Sequence, residues 1–570
     1  MSTTTETIFL LLPELLLILF ATAIYLAGAF LPGRTGWSYL AAFGVMAASI
    51  ALYLQFVTPP VFQTVFDSDA PGGVFSGPIV VDLLSLASRA LILMIGLVFV
   101  LMTARTAAET QEPEFMGSLL LILAGLNLVA MSNDLVLVFL GLELVSIPTY
   151  VLLFLGSGHV ERYAAQRQEA ATKYFFLSIL SSAIMLYGFS FLYGVTGSTN
   201  LLKAYEFLSP TSQTAGTLLF AKLAMVLIFA GLGFRITAVP FHFYAPDVYQ
   251  GTSNVNAGLL AVIPKIAGLL ALVRIVMVAM PGLEKIGWQL TLAMAIVTMT
   301  LGNLVALWQS NIRRMLAYSS IAHAGYMLIG LSVGFAAAGQ ATAPSSADGS
   351  QVAASQTLGG IEGLADTPDT VDGVGSTIFY LIVYSLATAG AFAAITYLGG
   401  ARRQVDNVED LAGLSQTNPQ VAAAIAICMF SLTGLPPLAG FWGKFGLLTG
   451  ALGVDSSTGN MSSGLWPWFL MLSIVAVVNA AISAGYYLRI IAVMYFRPAL
   501  SAPVCQGGMG AGAALFICAA LVILTGLFPG TLQETARDMS RAARENFEQQ
   551  RLASESQSQS SQTLAASRHP

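Results

Sequence analysis

The sequence predicts an all-α, polytopic membrane protein of about fourteen transmembrane helices, with two inverted five-helix repeats and discontinuous helices seven and twelve. Three observations support this fold class. The composition is too apolar for a soluble protein, uncharged runs of about 20 residues recur along nearly the whole chain, and prolines interrupt two of those runs. A transmembrane β-barrel is excluded because its strands give weak, alternating segments of about ten residues, whereas these runs are continuous.

Composition excludes several classes of protein. The 570 residues are 56% hydrophobic and 9% charged, whereas soluble domains carry about 25% charged residues. The net charge of -5 argues against nucleic-acid binding as the main activity, because that activity needs a basic face. Cys428, Cys505 and Cys518 are scattered and form no CxxC pair for an iron–sulfur cluster or zinc. Any redox centre is therefore expected in another chain.

Each apolar run is long enough to cross a bilayer as a helix. The runs lie near 7–28, 38–57, 80–102, 116–132, 134–155, 171–194, 217–238, 255–279, 287–308, 314–337, 376–399, 419–450, 465–496 and 508–529. The first run contains Glu14 and has neither a basic segment before it nor a small-residue cleavage site. We interpret it as a retained helix and not a signal peptide.

The loops between the spans predict the orientation of the chain, because Lys and Arg in short loops mark the cytoplasmic side. Even-numbered loops hold only Lys203 and Lys285. Odd-numbered loops hold Arg34, Arg105, Arg162, Arg167, Arg313, Arg314, Arg402, Arg403, Arg489 and Arg497. This alternation predicts an even number of spans, with both termini on the non-cytoplasmic side.

Two segments are predicted to be exposed and not to fold by themselves. Residues 338–374 are rich in Ala, Gly and Ser, and 534–570 form a polar tail of Gln, Ser and Arg. The remaining predicted divisions are an N-terminal three-helix segment, two antiporter-like repeats of spans 4–8 and 9–13, and a C-terminal helix, at 1–115, 116–280, 281–500 and 501–533.

Proline pairs interrupt the seventh and twelfth spans. Pro240 and Pro246 lie in AVPFHFYAPDVYQG, and Pro436 and Pro437 lie in LTGLPPLAGFWGKF. Proline removes a backbone hydrogen bond, and unwound backbone at membrane depth is tolerated only beside protein or a water-filled cavity. The breaks are five spans apart, so the two segments cross the membrane in opposite directions, as inverted repeats require. The alternative is that these prolines only kink the helices for packing.

Three charged residues stand deep within apolar runs. Glu143 lies in the middle of the fifth span, Lys265 follows Pro264 in the eighth, and Lys444 follows the break in the twelfth. A lysine at the centre of a membrane helix costs roughly 2.5–3.5 kcal/mol on insertion scales, so it usually faces a partner or an aqueous cavity. Glu143 must pair with a cation or hold a proton. These residues are candidates for proton transfer, with a purely structural ion pair as the alternative.

Other polar residues in or near the spans are accessory candidates. Lys173 and Lys222 lie near the ends of their spans and can extend to the membrane surface. His242 lies at the seventh-span break and His323 within the tenth span, and histidine exchanges protons near neutrality. No His/Glu pair has helical metal-ligand spacing and no Gly-rich phosphate loop follows a strand, so no metal, nucleotide or flavin site is predicted in this chain.

With these residues in place, the chain resembles subunit N of bacterial proton-pumping NADH:quinone oxidoreductase, respiratory complex I. The similarity covers roughly residues 10–530. It rests on LPELLL, SNDLVLVFLGLELVSIPTYVL, EAATKYFFLSILSSAIMLYG, GLGFRITAVPFHFYAPDVYQG, NLVALWQSNIRRMLAYSSIAHAGYMLIGL and LTGLPPLAGFWGKF. The APDVYQG segment and Lys444 in GKF separate it from the sister subunits L and M, since subunit M typically has an acidic residue in place of Lys444.

The resemblance implies an antiporter-like subunit of the membrane arm with one proton pathway. By motif match, Glu143 is the fifth-span acid, Lys265 the central lysine and Lys444 the terminal lysine, with Lys173 and His242 as accessory residues. It also implies a bacterial inner-membrane location and partners that include subunits L and M and small membrane subunits. NAD, FMN, iron–sulfur clusters and quinone are expected in partner subunits.

One position departs from the family pattern. Arg235 stands just before VPFH, where the family usually has a lysine. Arginine stays protonated at any relevant pH, so it can neutralise Glu143 but is a poor proton donor. Lys222 cannot substitute, because the intervening helix places it about 20 Å away. We therefore expect the Glu143–Arg235 pair to act as an electrostatic switch.

Three other functions are compatible with parts of this pattern. A subunit of a multisubunit cation/proton antiporter has related motifs and no redox partner, although APDVYQG argues against it. A structural membrane-arm subunit would use its charges only for pairing. A related complex with a different electron donor would have the same membrane arm, and the sequence does not distinguish it because electrons enter through other subunits.

Overall fold

The computed structural model describes residues 3–31, 35–57, 73–104, 111–155, 164–208, 215–341, 372–399, 405–454, 464–498, 505 and 507–545. Within these ranges, 13 helices are long and apolar enough to cross a membrane, and Pro419–Thr433 is a shorter apolar helix. The predicted all-α, multi-pass membrane fold is thereby confirmed. The arginines of several odd loops, at 34, 105, 162, 402 and 403, lie outside the described residues.

In its described residues, the N-terminal segment contains four helices and a small β-hairpin. Its elements are α1 (Thr3–Leu10), α2 (Leu12–Phe30), α3 (Trp37–Val57), β1 (Gly73–Ser76), β2 (Ile79–Asp82) and α4 (Leu83–Thr103). The predicted start of the third span at residue 80 was wrong, because 79–82 pair with β1. Asp82 ends the strand and caps α4, since its carboxylate accepts a 2.8 Å hydrogen bond from Ser85 N.

The first predicted repeat contains the first interrupted helix. Its elements are α5 (Glu112–Ala130), α6 (Leu135–Phe154), α7 (Ala164–Thr196), α8 (Leu201–Leu208), α9 (Ala215–Arg235), α10 (Ala245–Gly251) and α11 (Asn254–Leu272), which continues as a π-helix (Val273–Val278). Residues 236–244 separate α9 from α10, and the Val239–Pro240 peptide bond within them is cis. The predicted break in the seventh span is confirmed.

The second predicted repeat has the same kind of interruption. Its elements are α12 (Glu284–Ala306), α13 (Ile312–Ala341), α14 (Gly373–Leu398), a 3₁₀ turn (Val408–Leu411), α15 (Leu414–Thr417), α16 (Pro419–Thr433), α17 (Ala439–Gly453) and α18 (Trp466–Phe496). Residues 434–438 separate α16 from α17, so the twelfth span is also discontinuous. The break starts at Gly434, whose φ of 90° lies in the left-handed region that favours glycine.

The C-terminal part is more ordered than its composition predicts. After α19 (Gly508–Leu527), residues 529–545 form a further helix, α20. It buries Ala536, Met539 and Ala543, which share one helical face, and Ser540 Oγ donates a 2.9 Å hydrogen bond to Asp372. The first twelve residues of the predicted polar tail are therefore helical, and Ser540 joins this helix to the start of α14. Residues 546–570 lie outside the described part.

The predicted insertion at 338–374 is shorter at both ends than its composition indicates. Residues 338–341 complete α13, and α14 begins at residue 373. Glycine allows the start of α14 to pack closely against α13, because a Cβ added at Gly373 would lie 2.2 Å from the carbonyl oxygen of Gly330. Residues 342–371 lie outside the described residues.

Two helices form the centre of the bundle. The most apolar windows of the spans Asn254–Val278 and Gly373–Leu398 are 100% buried, whereas those of Leu12–Phe30 and Trp466–Phe496 are 28% and 33% buried. A helix that is apolar on every side is expected in such a position. Lys265 therefore lies on one of the two helices that are farthest from lipid.

Buried ion pairs connect the N-terminal helices to one another and to the first repeat. Arg89 on α4 donates hydrogen bonds to both carboxylate oxygens of Glu14, at 2.9 and 2.8 Å. Arg274 in the π-helix binds both oxygens of Asp82 at 2.6 Å. The side chains of both pairs are at most 2% exposed. Each charge is thus compensated inside the membrane region, as burial requires.

We expect Arg89→Met to destabilise the protein by about 3–5 kcal/mol, because it leaves the Glu14 carboxylate buried without its cation. The double variant Arg89→Met/Glu14→Leu should recover most of this loss, since it removes both charges. Thermal unfolding of the purified complex measures the effect. Arg497→Met is the control: it breaks an exposed pair with Glu409, which is worth about 0–1 kcal/mol. Equal effects of Arg89→Met and Arg497→Met would contradict a structural role of the buried pair.

Candidate functional site

An ion pair joins the fifth span to the end of α9. Arg235 Nη2 lies 3.1 Å from Glu143 Oε1, with the arginine side chain 3% and the glutamate side chain 20% exposed. Ser182 on α7 donates a 2.5 Å hydrogen bond to the same Glu143 oxygen. The charge of the buried guanidinium is therefore balanced by a carboxylate that remains partly accessible from outside this chain.

The remaining contacts of Arg235 hold its guanidinium in one orientation. Nη1 donates to Ser146 Oγ at 2.5 Å and to the Leu142 carbonyl at 3.3 Å. Nη2 also donates to Ser182 Oγ at 3.1 Å. A planar guanidinium can satisfy several acceptors in fixed directions, whereas an ammonium group has three donors. Arg235 thus binds α6 and α7 at the point where α9 ends.

Lys265 lies within hydrogen-bonding distance of two hydroxyl groups. Its Nζ is 3.0 Å from Thr237 Oγ1 and 2.6 Å from Ser320 Oγ, and the residue is fully buried. Thr237 lies in the first break, two residues after Arg235, and has a φ of 61°. Among the described residues, no carboxylate forms an ion pair with Lys265. The break therefore supplies this amine with a neutral partner.

Hydroxyl and aromatic groups extend from Lys265 toward His323. Tyr384 Oη donates a 2.8 Å hydrogen bond to Ser320 Oγ, the same oxygen that contacts Lys265. The Tyr384 ring lies 5.0 Å from the His323 ring. Ser320 and His323 are one helical turn apart on α13, so they share a face of that helix. His323 is thus the next titratable group along this face.

His323 is hydrogen-bonded at both ring nitrogens. Nδ1 lies 2.6 Å from Tyr380 Oη, and Nε2 lies 2.9 Å from Tyr487 Oη. The Tyr487 hydroxyl is also hydrogen-bonded to Ser319. One ring nitrogen of a neutral imidazole donates and the other accepts, so exchange of the two roles transfers a proton across the ring.

Lys444 binds backbone oxygens that the second break exposes. Its Nζ donates to the carbonyl groups of Leu432 at 3.0 Å and Thr433 at 2.8 Å, which end α16. These carbonyls lack helical partners and carry the negative end of the helix dipole. A Cβ added at Gly434 would lie 2.9 Å from Lys444 Cδ, so glycine leaves room for the lysine stem.

Lys444 is linked to His323 through Tyr326. Lys444 Nζ lies 4.8 Å from the centre of the Tyr326 ring, which is 6.2 Å from the His323 ring. We name the group from the Glu143–Arg235 pair through Lys265 and His323 to Lys444 the polar axis. The axis contains the carboxylate of Glu143, the guanidinium of Arg235, three other ionisable nitrogen groups, and the hydroxyls between them.

Two predicted accessory residues do not join the polar axis. Lys173 pairs with Glu169 at 2.7 Å and Asp247 at 3.2 Å, with its side chain 42% exposed. His242 is partly buried in the first break, and its buried Nδ1 has no hydrogen-bond partner among the residues that the structure describes. Among the described residues, no side-chain hydrogen bond or ion pair links His242 to Glu143, Lys265 or Lys444.

Sequence reasoning missed the hydroxyl groups that connect the charges. These are Ser146, Ser182, Thr237, Ser320, Tyr326, Tyr380, Tyr384 and Tyr487. One signal was available: Ser319, His323 and Tyr326 recur at helical spacing in YSSIAHAGY, which puts them on one side of α13. The tyrosines of α14 and α18 gave no comparable signal, because aromatic residues are common in membrane helices.

Comparison with known proteins places the chain among membrane subunits of respiratory complexes. Residues 132–343 and 363–465 match the family described as NADH:quinone oxidoreductase/Mrp antiporter, TM. NADH-quinone oxidoreductase subunit N of Trichlorobacter lovleyi is 32% identical, over 92% of this chain and 96% of the relative. NADH-quinone oxidoreductase subunit N 1 of Koribacter versatilis is 35% identical, over 91% and 93%.

Solved structures show the same fold. A chain of respiratory complex I from Thermus thermophilus superimposes with a TM-score of 0.67 at 29% identity, covering 92% of this chain and 98% of that chain. A chain of the Mrp complex from Dietzia sp. has a TM-score of 0.70 at 21% identity, covering 94% and 97%. The second likeness concerns the fold alone.

Proposed function

From the premise that this chain belongs to the NADH-quinone oxidoreductase subunit N family, and is a multi-pass membrane-arm subunit of that enzyme complex, we propose that it translocates protons. Quinone reduction in partner subunits supplies the driving force. The polar axis is the route, and the reaction class is proton transfer between side chains across a bilayer.

Lys265 carries this proposal. It is a fully buried amine without a carboxylate partner among the described residues, bound instead to the hydroxyls of Thr237 and Ser320. A structural lysine in such a place would be expected to have a compensating charge, as Arg89 and Arg274 have. An amine held by neutral groups can be stable in either protonation state, which a relay requires.

The Glu143–Arg235 pair acts as the switch of this route. Arg235 keeps its proton, so it changes the electrostatic potential at Lys265 and does not pass a proton. Its position two residues before Thr237 couples any movement of the pair to a hydroxyl that binds Lys265. Separation of Arg235 from Glu143 exposes Lys265 to an uncompensated positive charge and favours release of its proton.

A proton that leaves Lys265 has hydroxyl, imidazole and amine groups ahead of it. The hydroxyl groups of Ser320 and Tyr384 can each accept one proton and release another at their own oxygen. The His323 ring transfers a proton between its two nitrogens. Lys444 is the terminal acceptor, held by the α16 carbonyls until its proton is released. Water completes the steps between groups that are not in direct contact.

The surroundings of the subunit follow from the same proposal. The partners are subunits L and M and the small membrane subunits, and NAD, FMN, iron–sulfur clusters and quinone reside in partner subunits. The chain lies in the bacterial inner membrane with both termini on the non-cytoplasmic side, as the arginine distribution indicates. Lys173 and His242 lie at the edge of this route and are not steps in it.

A native gel of the mildly solubilised membranes tests membership and electron donor together. The tagged chain should migrate in a large complex that oxidises NADH in the gel. Migration in a smaller assembly without that activity would contradict the proposal. Sodium-dependent proton exchange by that smaller assembly would identify a cation/proton antiporter subunit instead.

A further inference from the structure

Thr237 occupies a backbone position that usually belongs to glycine. It lies in the first break with a φ of 61°, a left-handed conformation that a β-branched residue rarely adopts. Thr237 N donates to the Phe234 carbonyl at 3.0 Å, and Ala238 N donates to the Gly233 carbonyl at 2.9 Å. These two hydrogen bonds form a Schellman motif at the end of α9, in which the left-handed residue is most often glycine.

The second break has the same motif with the expected residue. Gly434 N donates to the Ser431 carbonyl at 3.0 Å, and Leu435 N donates to the Phe430 carbonyl at 3.1 Å. Helices α9 and α16 therefore end in the same backbone geometry, and only the first break places a side chain in the unfavourable position. A residue that breaks a local rule in this way is expected to be retained for another property of its side chain.

The hydroxyl group of Thr237 has a fixed direction. Oγ1 donates to the Ile236 carbonyl at 2.6 Å, and Lys265 Nζ lies 3.0 Å from the same oxygen. Because its single hydrogen is bound to a carbonyl group, which can only accept, Thr237 can only accept a hydrogen bond from Lys265. Such a bond is stronger when the donor is charged. The contact therefore favours the protonated form of Lys265.

The second hydroxyl partner of Lys265 is not restricted in this way. Ser320 Oγ lies 2.6 Å from Lys265 Nζ and 2.8 Å from Tyr384 Oη. An amine and a phenol can each give a proton to a hydroxyl group or take one from it. Ser320 can thus accept a proton from Lys265 while it releases its own, whereas Thr237 would first have to break its bond to Ile236. The two hydroxyl groups at this amine are unequal.

We propose that Thr237 is a positioning residue that holds the proton on Lys265 and directs its release to Ser320. This inference rests on the proposed function of the polar axis. Thr237 Oγ1 accepts a hydrogen bond from the ammonium group and keeps its own hydrogen on the Ile236 carbonyl. On release, the Lys265 proton moves to Ser320 Oγ as Ser320 passes its own hydrogen to Tyr384. Lys265 becomes a neutral amine, Ser320 remains a neutral hydroxyl, and the proton continues along the polar axis.

Other charged or titratable groups contact Lys265 less directly. On the helices packed against α11 and in its π-helical continuation, they include Arg89, Glu143, Arg235, Tyr249, Arg274, His323 and Tyr384. The three arginines are each paired with a carboxylate. The centre of the Tyr384 ring lies 5.9 Å from Lys265 Nζ. Loss of the Thr237 hydroxyl is therefore expected to act on Lys265 itself, through the bond that is removed.

Thr237→Val tests the proposal with the assembled complex in sealed membrane vesicles. Valine has the shape of threonine without the hydroxyl group. Proton translocation should stay within about twofold of the wild-type rate at pH 6, and its alkaline limb should move about one pH unit lower. The reason is that loss of a hydrogen bond to a charged group weakens proton binding by about tenfold. The rate is measured per complex, with NADH oxidation by a water-soluble artificial acceptor as the reference.

Thr237→Gly separates this role from a structural one. Glycine adopts a φ of 61° without strain, so this variant should assemble at least as well as Thr237→Val. It also lacks the hydroxyl group, so its alkaline limb should show the same shift. A residue that only ends α9 would instead give the wild-type profile with glycine. Thr237→Ser keeps the hydroxyl group and should restore the wild-type profile.

Thr291→Val is the matched control. Thr291 is fully buried on α12, its hydroxyl group donates to the Gly287 carbonyl at 2.7 Å, and its loss should leave the profile unchanged. An unshifted alkaline limb in Thr237→Val and Thr237→Gly would overturn the proposal, as would a loss by the same factor at every pH. Lys265→Met, measured in parallel, distinguishes the two proposals. If it retains translocation, the polar axis itself is wrong; if only the Thr237 variants behave as wild type, the polar axis stands.

Discussion

Substitution of Lys265 by methionine is expected to lower NADH-driven proton translocation at least about a hundredfold while the complex still assembles. A positioned proton-transfer group contributes about 10²–10⁴-fold to the rate. Methionine has a similar length and no charge, so the site on α11 stays filled. Because Lys265 has no ion-pair partner among the described residues, its removal leaves no buried carboxylate uncompensated.

The measurement is the rate of vesicle acidification per assembled complex, with the oxidation of NADH by an artificial acceptor as the reference for intact complex. Lys203→Met provides the control, since Lys203 is exposed near the start of α8 and the chemical change is identical. Loss of assembled complex at normal translocation per complex would instead support the structural role that the sequence left open. Full translocation would exclude Lys265 as a relay.

Substitutions of Arg235 should separate its charge from its capacity to transfer a proton. Arg235→Lys should retain translocation within about twofold, since an ammonium group also neutralises Glu143. Arg235→Met should destabilise the protein by about 3–5 kcal/mol, because Glu143 loses its cation and the hydroxyls of Ser146 and Ser182 lose a donor. Adding Glu143→Gln to Arg235→Met should restore assembly but not translocation.

Assembly is measured by the amount of complex on a native gel and translocation by vesicle acidification. Restored translocation in the double variant would show that the switch is dispensable. Lost translocation in a well-assembled Arg235→Lys variant would show that positive charge alone is not sufficient. In that case, the fixed geometry of the guanidinium, with its contacts to α6 and α7, would be the property that matters.

Several parts of the fold and the site could be predicted from the sequence, because each is either a long apolar run or a residue that is unusual within one. Membrane helices must be long and uncharged, so their number and positions are visible. A proline pair in such a run marks a break, as at Pro240 and Pro437. Glu143, Lys265 and Lys444 stand out because charge in hydrocarbon is costly.

Other features depend on which helices meet and were not visible. Lys173 belongs to a surface ion-pair group because α10 brings Asp247 beside it. The hairpin before α4 and the buried pairs of Arg89 and Arg274 join residues that are far apart in the chain. The helix at 529–545 buries Ala536, Met539 and Ala543 and bonds to Asp372 at the start of α14, and these contacts are not visible in the local composition.

The sequence by itself thus determined the class of protein, its broken spans and its intramembrane charges, since the bilayer imposes these requirements on each segment separately. Only the tertiary structure decided that Thr237 and Ser320 bind Lys265, that the α16 carbonyls bind Lys444, and that His323 lies between them. The physical reason is that a hydroxyl group costs little free energy in a helix, so it does not stand out in the sequence as a charge does. Its partner is set by the rotation and packing of neighbouring helices, which no single segment encodes.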